Sequence, residues 1–174
     1  MVVRLAADIQ PDSILDGSGI RTVIWFQGCL HNCKGCQNPE THDCNNGFFF
    51  DENAEKELFD KLSNKYVQGI TFTGGDPLHE NNRDTIYRLV KKIRDEFPTK
   101  DIWLYTGYTW EQIQKDNSLK QVVDLIDVLV DGRFVLSLRD VNLHWCGSSN
   151  QRVIDVKATL NGSNNIVLLE GEER

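Results

Sequence analysis

Four short apolar segments, each followed by a loop rich in glycine, asparagine or aspartate, constrain this chain more than anything else in it. IRTVIWFQ (20–27), GITFTG (69–74), IWLYT (102–106) and VLVDG (128–132) are β-branched and aromatic, as buried strands are. Helical periodicity fills the intervals. Asp51 is placed to cap a helix whose face carries Ala54, Leu58, Leu62 and Tyr66, and Ile86, Leu89, Val90, Ile93 and Phe97 mark a second helix closed by Pro98. A third helical stretch runs through Val122, Val123 and Ile126. Such alternation predicts an α/β domain with a parallel sheet covered by helices. The segment Ile166–Leu169 reads as one further strand before an acidic tail.

In parallel sheets ligands gather at the carboxyl ends of the strands. Each chemically suggestive motif here occupies such an end: the cysteine loop, GGDP, YTG and VDGRF. The cysteine loop is the most specific of them. GCLHNCKGCQNP (28–39) places Cys29, Cys33 and Cys36 in a C-x3-C-x2-C pattern, in a chain with five cysteines. An odd, crowded set disfavours a disulfide framework and points to metal or redox chemistry in a reducing setting. Structural zinc would need His31, His42 or Cys44 to complete a tetrahedron, and zinc sites usually pair two such knuckles where this chain has one. A thioredoxin-like CKGC pair would leave Cys29 without a role. An iron–sulfur cubane uses three thiolates and either a fourth ligand, for which Cys44 is available, or an open iron. Cys146 reads as a small buried or half-buried residue.

Other features bound the function. The formal net charge of −7 disfavours nucleic acid or an anionic membrane as partner. No apolar run approaches the roughly 20 residues of a membrane span, and MVVRLAADIQ lacks the features of a signal peptide. The expected location is therefore the cytoplasm. No Ser–His–Asp or paired-carboxylate arrangement is evident, and His31 and His42 read as loop residues.

The motifs together carry a resemblance. C-x3-C-x2-C after an early strand resembles the signature of the radical S-adenosylmethionine (SAM) superfamily. DGSGIRT (16–22), GCLHNCKGCQNPET, TFTGGDPL (71–78), DIWLYTGYTWEQ (101–112), DVLVDGRF (127–134) and GSSNQR (147–152) are similar to those of glycyl-radical-enzyme activases, in particular the family that activates anaerobic ribonucleoside-triphosphate reductase. The match runs from about Asp16 to Asp155.

The resemblance implies a partial (β/α) barrel of the radical SAM type over residues 1–157, with 158–174 as an extension of unknown role. It implies a [4Fe-4S] cluster on Cys29, Cys33 and Cys36, with the remaining iron chelating SAM. SAM contacts are implied for Gly35, Cys36, Gln37, Thr73, Gly74, Gly75, Asp76, Thr106, Asp131 and Arg133. Gly35 stands where many superfamily members have an aromatic residue, so its contact runs through backbone. Asp76 would bond the SAM ammonium or brace its turn. Asp131 would hold a SAM hydroxyl or a cation, with Arg133 near the carboxylate and Tyr105 a weaker candidate. GSSNQR reads as scaffolding or partner contact. A bulkier residue at Gly75 is expected to weaken SAM binding and spare the cluster. The implied partners are the large subunit of the reductase, through its glycyl-radical loop, and a low-potential electron donor such as flavodoxin. Activation of another glycyl-radical enzyme, such as pyruvate formate-lyase, and a non-catalytic zinc or iron–sulfur module are the alternatives.

Overall fold

In a computed structural model describing residues 2–162 and 165–169, the chain forms a mixed α/β domain. Its elements are β1 (Arg4–Leu5), β2 (Gln10–Ser13), β3 (Arg21–Phe26), β4 (Phe48–Phe49), α1 (Glu52–Leu62), β5 (Gly69–Gly74), α2 (Arg83–Glu96), β6 (Asp101–Tyr105), α3 (Trp110–Ile113), α4 (Asn117–Val123), β7 (Val128–Asp131), β8 (Arg152–Asp155) and α5 (Val156–Asn161). One eight-stranded sheet runs β4-β1-β3-β5-β6-β7-β8, with β2 also paired to β3.

The four strands read from the sequence are parallel and adjacent in chain order, β3-β5-β6-β7. The sheet as a whole is not parallel, however. β1 and β2 pair antiparallel to β3, β4 to β1, and β8 to β7. β1 and β2 lie in the N-terminal segment ahead of β3, and neither the loop from β3 to β4 nor that from β7 to β8 carries the α-helical crossover usual between parallel neighbours.

The helices cover the parallel block with the residues their periodicity nominated. Leu58 and Leu62 of α1 and Ile86, Leu89, Val90 and Ile93 of α2 are fully buried against Ile24, Phe26, Ile70 and Phe72. The Asp51 side chain accepts from the Ala54 backbone, as an N-cap does. Tyr66 does not extend the α1 face. The helix ends at Leu62, Asn64 Oδ1 accepts from the Tyr66 amide, and Tyr66 is exposed. Ile126 is buried but lies beyond α4. Residues 166–169 make no strand. They contribute one antiparallel bridge, Leu168 to Ile154, with the Leu169 amide donating to Val153 O at 2.9 Å. The acidic tail, from residue 170, lies outside the described residues.

The amino ends of the parallel strands are locked by a buried arginine. Arg21 donates to Thr71 Oγ1 (2.8 Å) and Ile70 O (2.9 Å), pairs with Asp101, and stacks 5.1 Å from the Trp103 ring. Burying a guanidinium demands such full pairing. The opposite, carboxyl ends carry the loops.

Candidate functional site

The loop after β3 is held by backbone bonds more than by its side chains. Gly28, at φ +99°, turns the chain out of the strand. Its amide donates to Thr41 O (2.8 Å) and that of Cys29 to His42 O (3.1 Å), stitching the loop to a 3-10 turn at Pro39–Thr41. All three thiols are free, half-buried and face one cavity of about 320 Å3. Burial, reinforced by Asp76 and Cys33, pushes the Cys29 thiol up to about 11, against two backbone donors that favour the thiolate. A thiolate there requires compensating positive charge. Among the described residues no three His, Cys, Asp or Glu side chains converge on a point suited to a single metal ion.

Gln37, Thr73, Gly74, Gly75, Thr106 and Arg133 line the same cavity. Gly75 packs under the cysteine loop: its amide donates to Phe26 O, and the Asp76 amide to Gly28 O, both at 2.8 Å. Gly35 does not line the cavity. At φ +73°, it turns the loop next to Leu136.

Asp76 and Asp131 also sit outside the cavity wall, each with its carboxylate occupied by the protein. Asp76, 1% exposed, accepts from Leu78 N (2.8 Å), Thr106 Oγ1 (2.9 Å), Gly107 N (3.2 Å) and His31 Nε2 (2.5 Å). It therefore ties the cysteine loop, the β5 turn and the end of β6 together, and His31 is its partner. Asp131 is likewise 1% exposed. It accepts from Trp110 N at the start of α3 (2.7 Å) and from both Nε (3.0 Å) and Nη2 (2.5 Å) of Arg152. A carboxylate so satisfied braces its neighbours and has little capacity left for a ligand.

Arg152 was not singled out by the sequence, yet it also clasps Glu111 through two bonds of 2.9 and 3.0 Å. That pairing holds the Glu111 carboxyl down at about 2. The rest of GSSNQR fixes the turn after β7. Gln151 Nε2 donates to Gly132 O (3.0 Å), Asn150 Nδ2 to Arg133 O (2.8 Å), and Ser148 Oγ accepts from Val135 N (3.1 Å). The motif is scaffolding that sets the backbone of Arg133. Arg152→Leu should leave the buried Asp131 charge unpaired and destabilise the domain by about 2 kcal/mol, discounted from the 3–5 of a fully buried pair because Arg152 is partly exposed. Denaturant titration at neutral pH measures this. The Glu111 share is present above pH 4.5 and fades as pH falls towards 2, because folding depresses that carboxyl.

Sequence reasoning also missed part of the wall. Asp16, Trp25, His42, Phe134 and Cys146 line the cavity, whereas Cys44 does not. For Asp16 a signal existed, since it opens DGSGIRT. Its carbonyl accepts from Thr71 Oγ1 and its carboxylate from Ser13 Oγ.

Comparison with known proteins settles the lineage. The pattern of a 4Fe-4S single cluster domain family matches residues 15–154. An anaerobic ribonucleoside-triphosphate reductase-activating protein of Enterobacteria phage T4 is 46% identical over 145 residues, 83% of this chain and 90% of the relative. The chain belongs to the anaerobic ribonucleoside-triphosphate reductase-activating protein family. Relatives of the same name in Escherichia coli (strain K12) and Pasteurella multocida are 45% and 39% identical over 82% and 81% of this chain, covering 93% and 90% of their own lengths. For a member of this family carrying a 4Fe-4S domain, the three cysteines of the loop after β3 are the donor set to consider first. No helix among the described residues is long and apolar enough to cross a membrane.

Proposed function

We propose that this chain is a radical SAM activase, a cytoplasmic enzyme that generates a glycyl radical on the large subunit of anaerobic ribonucleoside-triphosphate reductase. The observation that carries this reading is the convergence of three loop thiols, a glycine-lined strand end and an arginine on one cavity open to solvent. The donor set fits a cluster: three free thiols in one short loop, shaped by backbone bonds independent of any bound group. The consecutive parallel strands β3, β5, β6 and β7, with helical crossovers on the sheet, support assignment to a partial (β/α) barrel. Residues 1–157 would form this activase domain, and 158–174 an appended segment.

In this reading Cys29, Cys33 and Cys36 hold the cluster, and backbone groups around Gly35, Gln37 and Thr73–Gly75 take the methionine part of SAM. Carbonyls at the end of β5 would accept from its ammonium, while the absence of Cβ atoms at Gly74 and Gly75 lets that strand end pack against β3 and the cysteine loop. Arg133, whose backbone carbonyl is held by Asn150, would pair with the carboxylate. Asp76 and Asp131 contribute by bracing the loops that bind, through His31 and Arg152. Bound together, the cluster and SAM supply one-electron reductive cleavage of the sulfonium, with methionine and 5′-deoxyadenosine as products once a glycine α-hydrogen has been taken. A donor such as flavodoxin provides the electron. Exposed Leu15, on the cavity wall, gives an apolar edge against which a partner's glycine loop can rest while water is kept from the site.

The test is anaerobic mixing of the protein with SAM, a reductant and reductase whose glycines are deuterated. Deuterium should enter 5′-deoxyadenosine, and the reductase should carry an organic radical whose α-hydrogen splitting is present in the undeuterated control. Unlabelled 5′-deoxyadenosine with the reductase, alongside labelled product with pyruvate formate-lyase, would reassign the partner. No iron in the anaerobically prepared protein would reduce the chain to a non-catalytic module.

A further inference from the structure

Among the described residues, three buried side-chain polar atoms lack a hydrogen-bond partner: Thr22 Oγ1, Gln114 Nε2 and His42 Nε2. Of these residues only His42 lines the cavity of the three thiols. An unsatisfied buried ring nitrogen is destabilising and calls for a reason in the native protein. His31 provides the contrast within the same loop region, because its Nε2 is fully engaged by Asp76 and its ring packs edge-on to Tyr108 at 4.8 Å.

The backbone of His42 is not adventitious either. Its carbonyl accepts from the Cys29 amide (3.1 Å), and its own amide closes the Pro39–Thr41 turn on Pro39 O (3.2 Å). The imidazole is thus carried on a rigid turn joined directly to the first cluster cysteine. The His42 ring lines the cavity whose wall carries Cys29, Cys33 and Cys36, so the sulfur of a cluster bound there would be an acceptor for its unpartnered Nε2.

We propose that His42 donates a hydrogen bond from Nε2 to the sulfur of the bound cluster and thereby raises its reduction potential. This rests on the cluster reading above and deepens it: His42 is a positioning and tuning residue, with no part in hydrogen abstraction. A donor to sulfur stabilises the more negative, reduced cluster over the oxidised one, so removing it makes the cluster harder to reduce.

The test uses full-length protein, reconstituted anaerobically, without SAM or reductase. His42→Phe keeps a flat ring and removes the donor, while His42→Gln keeps an N–H. At equal iron and sulfide content, redox titration followed by electron paramagnetic resonance should place His42→Phe below the wild type, with His42→Gln nearer to it. Wild-type protein labelled with 15N-histidine should also show a weak nitrogen coupling to the reduced cluster, lost in His42→Gln; this holds the test together should His42→Phe fail to fold. A normal cluster with unmoved potential and no histidine coupling overturns the inference alone. A potential left unmoved by His42→Phe while SAM affinity drops overturns it too, since the donor then serves SAM. A wild-type protein that binds no cluster overturns the parent reading together with this one.

Discussion

Alanine at Cys29, Cys33 or Cys36 is expected to abolish cluster binding outright, while Cys44→Ala and Cys146→Ala retain full iron and sulfide. The three come from a single loop whose shape is set by backbone bonds from Gly28, Cys29 and Cys36, so losing any one thiol removes a third of the protein ligands. Cys44 lies off the cavity wall. Cys146 does line it, but from the segment after β7 that the GSSNQR contacts hold in place. Anaerobic reconstitution followed by iron and sulfide analysis checks all five variants. If Cys146→Ala loses iron as completely as Cys36→Ala, the cluster has four thiolates and no position for SAM, and the proposed function fails with it.

Gly75→Val is expected to remove both SAM binding and the cluster, a larger effect than the sequence alone suggests. A Cβ on Gly75 would lie 2.6 Å from Gly28 O and 2.7 Å from Thr41 O. Both are backbone atoms of the segments that hold Cys29, so neither can swing aside as a side chain would. The clash is relieved only by pushing the cysteine loop away from β5. Overpacking against backbone costs about 3 kcal/mol, the upper end of the usual range. Iron content and thermal stability of Gly75→Val and the smaller Gly75→Ala give a graded readout. Wild-type iron content in the valine variant would show that the loop accommodates the bulk, restoring the narrower expectation of a defect in SAM binding.

The parallel strands, the two long helices and the shared rim were legible in the sequence because each rests on local pattern: continuous apolar runs, a four-residue stripe, punctuation by glycine. β1, β2 and β4 were not. Two of them are two residues long, and QPDS carries neither alternation nor apolar content. β8 had a signal in RVID, whose Val153 and Ile154 are buried. Missing it concealed the partner of Asp131, because Asp131 and Arg152 meet only through the antiparallel register of β7 with β8. The same limit applies to Asp76. A carboxylate in a GGDP turn reads as ligand contact or turn brace, and the tertiary contacts from His31, Thr106 and Gly107 that occupy it carry no local signature. His42 was visible in the sequence only as a possible zinc ligand or a loop residue, since an orphaned ring nitrogen is a property of packing.

The margins of the sheet bear on what happens to the chain when oxygen destroys an iron–sulfur centre. At one margin β4 is two residues long, and the Arg4 guanidinium sits 4.0 Å from the exposed Phe49 ring. At the other, the outer side of β8 is already engaged by Val167 and Leu169 through two backbone bonds of 2.9 Å. Unpaired strand edges are where one molecule recruits another into amyloid-like stacks, and short, charged or covered edges prevent it. Among the described residues neither margin presents a long free ladder, which disfavours edge-to-edge association of a molecule that loses its cluster but keeps its sheet.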